Sequence, residues 1–496
     1  MVPFGPYAPD VLGADGGPAL QIANNVIPTA RGYAPLPSLS DFSAQLVGAC
    51  RGAFSGLDLD GDPFVISGTA TKLYILRTGG LDDVTRIALG YTVGTTGHWE
   101  FAQMGNVVIA VNGTDKTQYF DLGTSANFAD VTGAPIAAHV ATIRNQIHLA
   151  NIIDPIDGTV EFRIRWSAFG DPLGWPAVGS DQAIFDQSDQ QDLPAGGPIV
   201  AIKPAREIGI IIQQRDVMRL DYVGGDLIYS ISTISQGKSL NIGETAVQQD
   251  DAVYFLSEDG WCMTEGSTLS YIGDETVDKS VLSLFDFDNP HLASACVDPE
   301  KKIVMWCLPK HDELGVTKLV IYHRTLRRWS TGDETIEWLV SALPNGVQMD
   351  DYPSPWNLDE SPPPPDAPFD VPSLDSASLR GFPWKLGGFD NAHRLGVFSG
   401  TPKPATLETM GFQLFPSRRA FINKIRIVAD TQNATLQIGY RARAFDPLTY
   451  SQTSTPGVDG ACSIRNSSRY QQVKVTLNNW TYAHGLDFDA RVEGTR

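Results

Sequence analysis

The residues with the strongest chemical potential form no complete catalytic or ligand-binding motif. Gln236-Gly237-Lys238-Ser239 ends in the Gly-Lys-Ser of a phosphate loop. Ser232 stands where the loop's first glycine belongs, and no helical periodicity follows Ser239, so the backbone cradle for a phosphate is missing. Asp58-Leu59-Asp60-Gly61-Asp62-Pro63 opens like a calcium loop. Proline replaces the glycine of the sharp turn and no bidentate glutamate closes it, so it reads as a carboxylate-rich hairpin turn. The eight histidines (His98, His139, His148, His291, His311, His323, His393 and His484) never occur as H-x-x-x-H or H-E-x-x-H, and they read as structural residues on strands. No serine sits in a G-x-S-x-G elbow. The densest basic cluster is Arg324, Arg327 and Arg328, within Tyr322–Ser330. It could face a DNA channel or a subunit interface, and a hairpin turn carrying arginines explains it equally well. The expectation is a protein without catalytic residues, cofactor or metal.

Composition narrows the class. Lys+Arg 37 against Asp+Glu 57 gives a net charge of -20 over 496 residues. Gripping a phosphate backbone takes Lys and Arg, so a DNA-holding role is disfavoured. An acidic wall past which DNA slides is compatible with this charge. The five cysteines (Cys50, Cys262, Cys296, Cys307 and Cys462) are odd in number and widely spaced, which argues against a disulfide framework or zinc motif and for reduced, buried thiols. The Met-Val-Pro-Phe-Gly-Pro start has neither the basic nor the apolar region of a signal peptide. No run approaches the ~18 apolar residues of a spanning helix. A soluble protein made in a cytoplasm is expected.

The positioning elements read as strands. Helical periodicity is nearly absent, and 47 glycines and 33 prolines punctuate short β-branched and aromatic runs. Val107–Val111 meets Asn112-Gly113, a hairpin signal, and Gln118-Tyr119-Phe120 returns from it. Ile147–Ala150 is answered by Phe162–Trp166, Gly209–Ile212 by Val217–Leu220, Val253–Leu256 by Trp261–Met263, and Ile303–Trp306 by Leu319–Tyr322. These hairpins recur at roughly 40–60 residues, within reach of a propeller blade period. Six units fall between about Asp62 and Ser330, and Arg394–Phe398 could carry a seventh. The fold class is therefore all-β: a six- to seven-bladed β-propeller over 51–410, with a C-terminal β-sandwich or barrel-like domain over 411–496. Phe421–Val428, Thr435–Tyr440 and Gln472–Leu477 alternate as half-exposed strands do. Residues 1–50 form an extended segment that could pair with this domain. Residues 350–375, with Pro362–Pro365, read as a surface arm or linker. Arg418, Arg419, Arg441, Arg443, Arg465 and Arg469 make the C-terminal domain less acidic, as an interface with an acidic partner would require.

Several segments resemble the tail hub, or nozzle, proteins of short-tailed bacteriophages. Arg165–Trp175 is similar to that group's RWS-x-x-GDP-x-x-W segment, and Val253–Trp261 to its VYFLS-x-DG-aromatic hairpin, with Gly266 and Ile272-Gly273 following. Val297–Trp306 resembles its VDPE-x-x-x-V-x-W turn, and Leu319–Tyr322 with Arg328-Trp329-Ser330 its L-x-x-Y…RWS strand pair. Ser468-Arg469-Tyr470 and Trp480–Gly485 are similar to the closing domain's GRY…W-x-x-A-x-G, with Ser468 in place of glycine. The resemblance covers most of 140–330 and part of the C-terminus. It implies a virion protein of the tail: a homo-oligomeric ring, a hexamer, below the portal and adaptor. Such a ring would contact a tail needle, tip, fibres or spikes, and its channel would conduct double-stranded DNA without reading sequence and retain the packaged genome until ejection.

Two other classes compete with this reading. A receptor-binding or tail-tip virion protein would favour a trimer. A carbohydrate-active propeller enzyme would need a leader and paired carboxylates at a sugar cleft. Ser257–Trp261 and Ser167–Trp175 resemble the Asp-box turns of sialidase propellers without their full spacing, and no acid pair stands out.

Overall fold

A computed structural model describes residues 1–11, 19–77, 80–87, 89–237, 240–298, 300–312, 316–342, 385–431, 433–443 and 446–493. The arm expected over 350–375, and Lys238 and Ser239 of the rejected phosphate loop, lie outside them.

The chain is an all-β propeller. Its first six sheets form in sequence, each from four successive antiparallel strands. They begin at Ala53–Leu57, Glu100–Met104, Ile136–Ile143, Ile199–Ala205, Asn241–Gln249 and Ser294–Asp298. A seventh sheet combines Ile336–Ala342, Lys385–Asp390 and Leu395–Pro402 with Pro37–Asp41 from the N-terminal segment. The first strand of each sheet packs against the first strand of the next, and Ile336–Ala342 returns to Ala53–Leu57. That return closes a ring.

Burial explains why the middle strands are apolar throughout. Each sheet is covered on both faces, so alternation gives way to continuous runs such as Val253–Ser257 and Ile303–Pro309, every residue of which is buried. A separate apolar core fills each gap. Trp99, Val108 and Phe120 lie between the first and second sheets, for example, and Val65, Val340 and Val397 between the seventh and first. All five cysteines are buried, and none is in a disulfide.

Aromatic strand ends converge between the fifth and sixth sheets. Trp261 and Trp306 stand 4.1 Å apart, Tyr322 and Trp329 4.5 Å, and Trp306 Nε1 donates to the Thr245 carbonyl at 2.9 Å. Two neighbouring glycines have a spatial reason. A Cβ at Gly260 or Gly273 would strike the Asp278 carboxylate, which accepts the Trp261 backbone N–H at 3.2 Å.

The remaining strands form two further sheet regions around one core. Leu20–Asn24, Ala405–Thr409, Tyr470–Leu477, Ala434–Arg441 and Thr449–Tyr450 extend the sixth sheet beyond Arg328–Gly332. A six-stranded sheet joins Val26–Thr29, Gly32–Pro35, Ala483–Glu493, Arg419–Ala429 and Ala461–Ser468, with Val2–Pro3 added on Ala483–Glu493. Leu20, Val26, Ile425, Leu436, Val475 and Leu486 belong to their common core. Arg419–Ala429 alternates in burial because one face meets solvent.

Two local expectations need correction. Ala405–Thr409, read as propeller, pairs with Leu20–Asn24 and Tyr470–Leu477. The segment 1–50 divides its strands between the two regions, since Pro37–Asp41 completes a propeller sheet. The hairpin expected at Asn112-Gly113 forms, with Gln118–Asp121 returning antiparallel on Val107–Val111. The connection runs from Asn112 to Thr117, and Asn112 Oδ1 accepts the backbone N–H groups of Thr114 and Asp115 at 3.0 and 2.8 Å. A side chain that can mimic a backbone turn sustains this loop. The Asp58 turn is a hairpin, with Asp58 Oδ1 accepting the N–H groups of Asp60 and Asp62 at 3.0 and 2.9 Å.

Candidate functional site in the axial tunnel

The first strands of all seven sheets enclose an axial cavity of about 580 Å³. Side chains stitch its wall, because strands of adjacent sheets share no ladder there. Thr142 Oγ1 donates to the Gln103 carbonyl at 2.9 Å. The Ser55 hydroxyl donates to the Ser341 carbonyl, and the Ser341 hydroxyl to that of Val297.

The chemically distinctive patch of this wall is built on Glu100. His98 and Glu100 are two residues apart in extended chain, so both side chains face the tunnel while Trp99 turns away into the first inter-sheet core. Trp99 is fixed there by donating Nε1 to the Thr69 carbonyl at 2.9 Å. His139 arrives from the next sheet, and its Nδ1 lies 3.1 Å from Glu100 Oε1. His98 Nε2 lies 3.5 Å from the same oxygen, and Lys203 Nζ, from the fourth sheet, 3.8 Å. Glu100 Oε2 accepts the Val140 backbone N–H at 3.3 Å. The His98 ring stacks on Trp338 of the seventh sheet, with centroids 5.7 Å apart.

The electrostatics follow from this convergence. Burial alone would raise the Glu100 pKa, but Lys203, His139 and His98 together hold the carboxyl well below its ordinary range. Burial pulls the His98 imidazole down, and contact with Glu100 and the nearby Glu244 carry it above its ordinary value. The patch therefore contains a firmly ionised carboxylate facing two imidazoles and an ammonium. Among the described residues, His98, Glu100 and His139 are the only group of three or more such donors placed closely enough to share an ion.

None of these residues stood out in the sequence beyond the inventory of histidines. His98-x-Glu100 was a readable signal, two polar side chains at i and i+2 where the chain enters the strand Glu100–Met104. His139 and Lys203 join it only through the order of sheets around the ring.

The arginine cluster disperses. Arg324 forms an ion pair with Asp250. Arg328 donates to the carbonyls of Thr29 and Phe4, both at 3.0 Å, and lies over the Tyr33 ring. It clamps the sixth sheet to the N-terminal strands. Arg327 is exposed in the turn between them. The Arg165–Trp175 segment is also a packing unit. Arg165 lies over the Trp175 ring and donates to the Pro176 carbonyl, while Ser167 Oγ accepts the Ile147 N–H at 3.0 Å.

No family model matches the chain, and no curated protein matches it. Solved structures resemble it at low identity. Apo AztD from Citrobacter koseri is 13% identical, with 63% of this chain and 93% of that one covered at a TM-score of 0.36. YCF48 bound to D1 peptide is 9% identical, with 60% and 86% covered at 0.36. The Neurospora crassa Pan2 WD40 domain is 8% identical, with 59% and 82% covered, also at 0.36. Likeness at this level carries no statement about function. Among the described residues, no helix is long and apolar enough to cross a membrane.

Proposed function

We propose that the chain is a structural subunit of a short-tailed bacteriophage tail, a hub or nozzle ring below the portal and adaptor. In this reading the seven four-stranded sheets are seven blades, and the two sheet regions beyond them form a β-sandwich made from both chain ends. The observation that carries the proposal is the ordered series Arg165–Trp175, Val253–Trp261 and Val297–Ser330, whose resemblance to that group spans the third, fifth and sixth sheets. The roles of these residues support it, because they close turns and fill inter-sheet cores. The tunnel within one copy has the volume of a small-molecule pocket. A DNA conduit therefore requires several copies around a shared axis, with the net charge of -20 per chain keeping its wall from gripping phosphate.

Native mass spectrometry and negative-stain imaging of the full chain test this proposal together with protein analysis of purified virions. The expected outcome is a six-fold ring and stoichiometric presence in tails. Monomers at all concentrations together with absence from virions would overturn the proposal. A trimer would replace it with the receptor-binding or tail-tip reading.

A further inference from the structure

We propose that His98, Glu100 and His139 form a binding site for one zinc-class divalent cation on the tunnel wall, independently of the tail assignment. Two imidazole nitrogens and one carboxylate oxygen are a donor set that zinc accepts, with a fourth position left open. The spacing fits. Zinc bonds of about 2.0–2.1 Å in a tetrahedron place neighbouring ligand atoms about 3.3–3.4 Å apart. The His139 Nδ1 to Glu100 Oε1 and His98 Nε2 to Glu100 Oε1 separations are 3.1 and 3.5 Å, so two of the three edges are already formed. All three donor atoms lie within 4.8 Å of one another, so the remaining edge needs at most a small rotation of an imidazole.

The surroundings hold the donors in place. Glu100 is anchored through Oε2 by the Val140 N–H, which leaves Oε1 turned toward both histidines. His98 is oriented by its stack on Trp338. The ligands come from the inner edges of the second and third sheets, so a bound ion would cross-link two adjacent sheets. Its open position would face the cavity, where water can complete the coordination. Lys203 Nζ, 3.8 Å from Glu100 Oε1, is the resident counter-cation and competes with the metal for that oxygen. Glu244 also lines the tunnel and offers the displaced ammonium a second carboxylate.

The competition supplies a test with opposite signs. Full-length protein freed of metal by a chelator is titrated calorimetrically with Zn²⁺. Wild type should take up one equivalent per chain, and Glu100→Gln and His139→Gln should each bind at least about tenfold more weakly. Lys203→Met should bind several-fold more tightly, a gain that misfolding cannot mimic. Zn²⁺ should also raise the melting temperature of wild type by more than that of His139→Gln. Failure of wild type to bind an equivalent would overturn the site, as would unchanged affinity in the ligand variants. Weaker binding in Lys203→Met would overturn the proposed competition and the placement of the ion at Glu100 Oε1.

Discussion

At the residue scale, several buried polar groups take partners from other parts of the chain, and their charge states have measurable consequences. Asp278 is 7% exposed. Burial, reinforced by Asp274 and Asp10 and opposed by the Trp261 N–H, raises its pKa from 3.8 to about 6. A carboxyl that binds its proton more tightly in the folded state lends stability that is complete below pH 3.8 and is lost as pH rises through about 6. Asp278→Asn keeps an acceptor for Trp261 and removes this loss. Urea unfolding should find the variant more stable than wild type at pH 7, by on the order of 2–3 kcal/mol, with the advantage vanishing near pH 4. An equal difference at both pH values would place the effect in packing instead.

At the element scale, the N-terminal segment is structural throughout its strands. Leu20–Asn24 lies between Arg328–Gly332 and Ala405–Thr409 in one continuous sheet, with Leu20 and Ala23 fully buried. Asp10 accepts the N–H groups of Lys279 and Ser280 at 2.7 and 3.1 Å, at the start of the short helix Asp278–Leu282. Leu20→Ala should therefore cost about 2–5 kcal/mol in denaturant unfolding, as a core truncation does. Amide exchange in Leu20–Asn24 should be as slow as in Ala405–Thr409, whereas a frayed terminus would exchange at once. The strands of the propeller were legible because turn residues bracket short apolar runs. The partner of Leu395–Pro402 was not legible, since Pro37–Asp41 reaches it across more than 350 residues of chain.

At the scale of the whole molecule, cores between successive sheets join into a closed ring, and the Leu20–Asn24 strand ties that ring to the C-terminal strands. Calorimetry should record one unfolding transition for both regions. Two separated transitions would mean that the shared sheet does not couple them. The ring assembly expected of a tail component belongs to this scale as well, because one copy encloses a cavity of only about 580 Å³.

The sequence by itself determined the kind of element and its environment. Apolar runs closed by Gly, Asp and Pro specify buried strands, and alternation over Phe421–Val428 specifies a half-exposed one. These are local properties, governed by backbone sterics and side-chain period. Tertiary structure alone decided which residues meet. Glu100 finds His139 and Lys203 because three consecutive sheet edges line one tunnel, and Arg328 is drawn from its cluster by carbonyls of residues 4 and 29. Closing a ring converts sequence separations of tens to hundreds of residues into ångströms, and no periodicity along the chain encodes that closure.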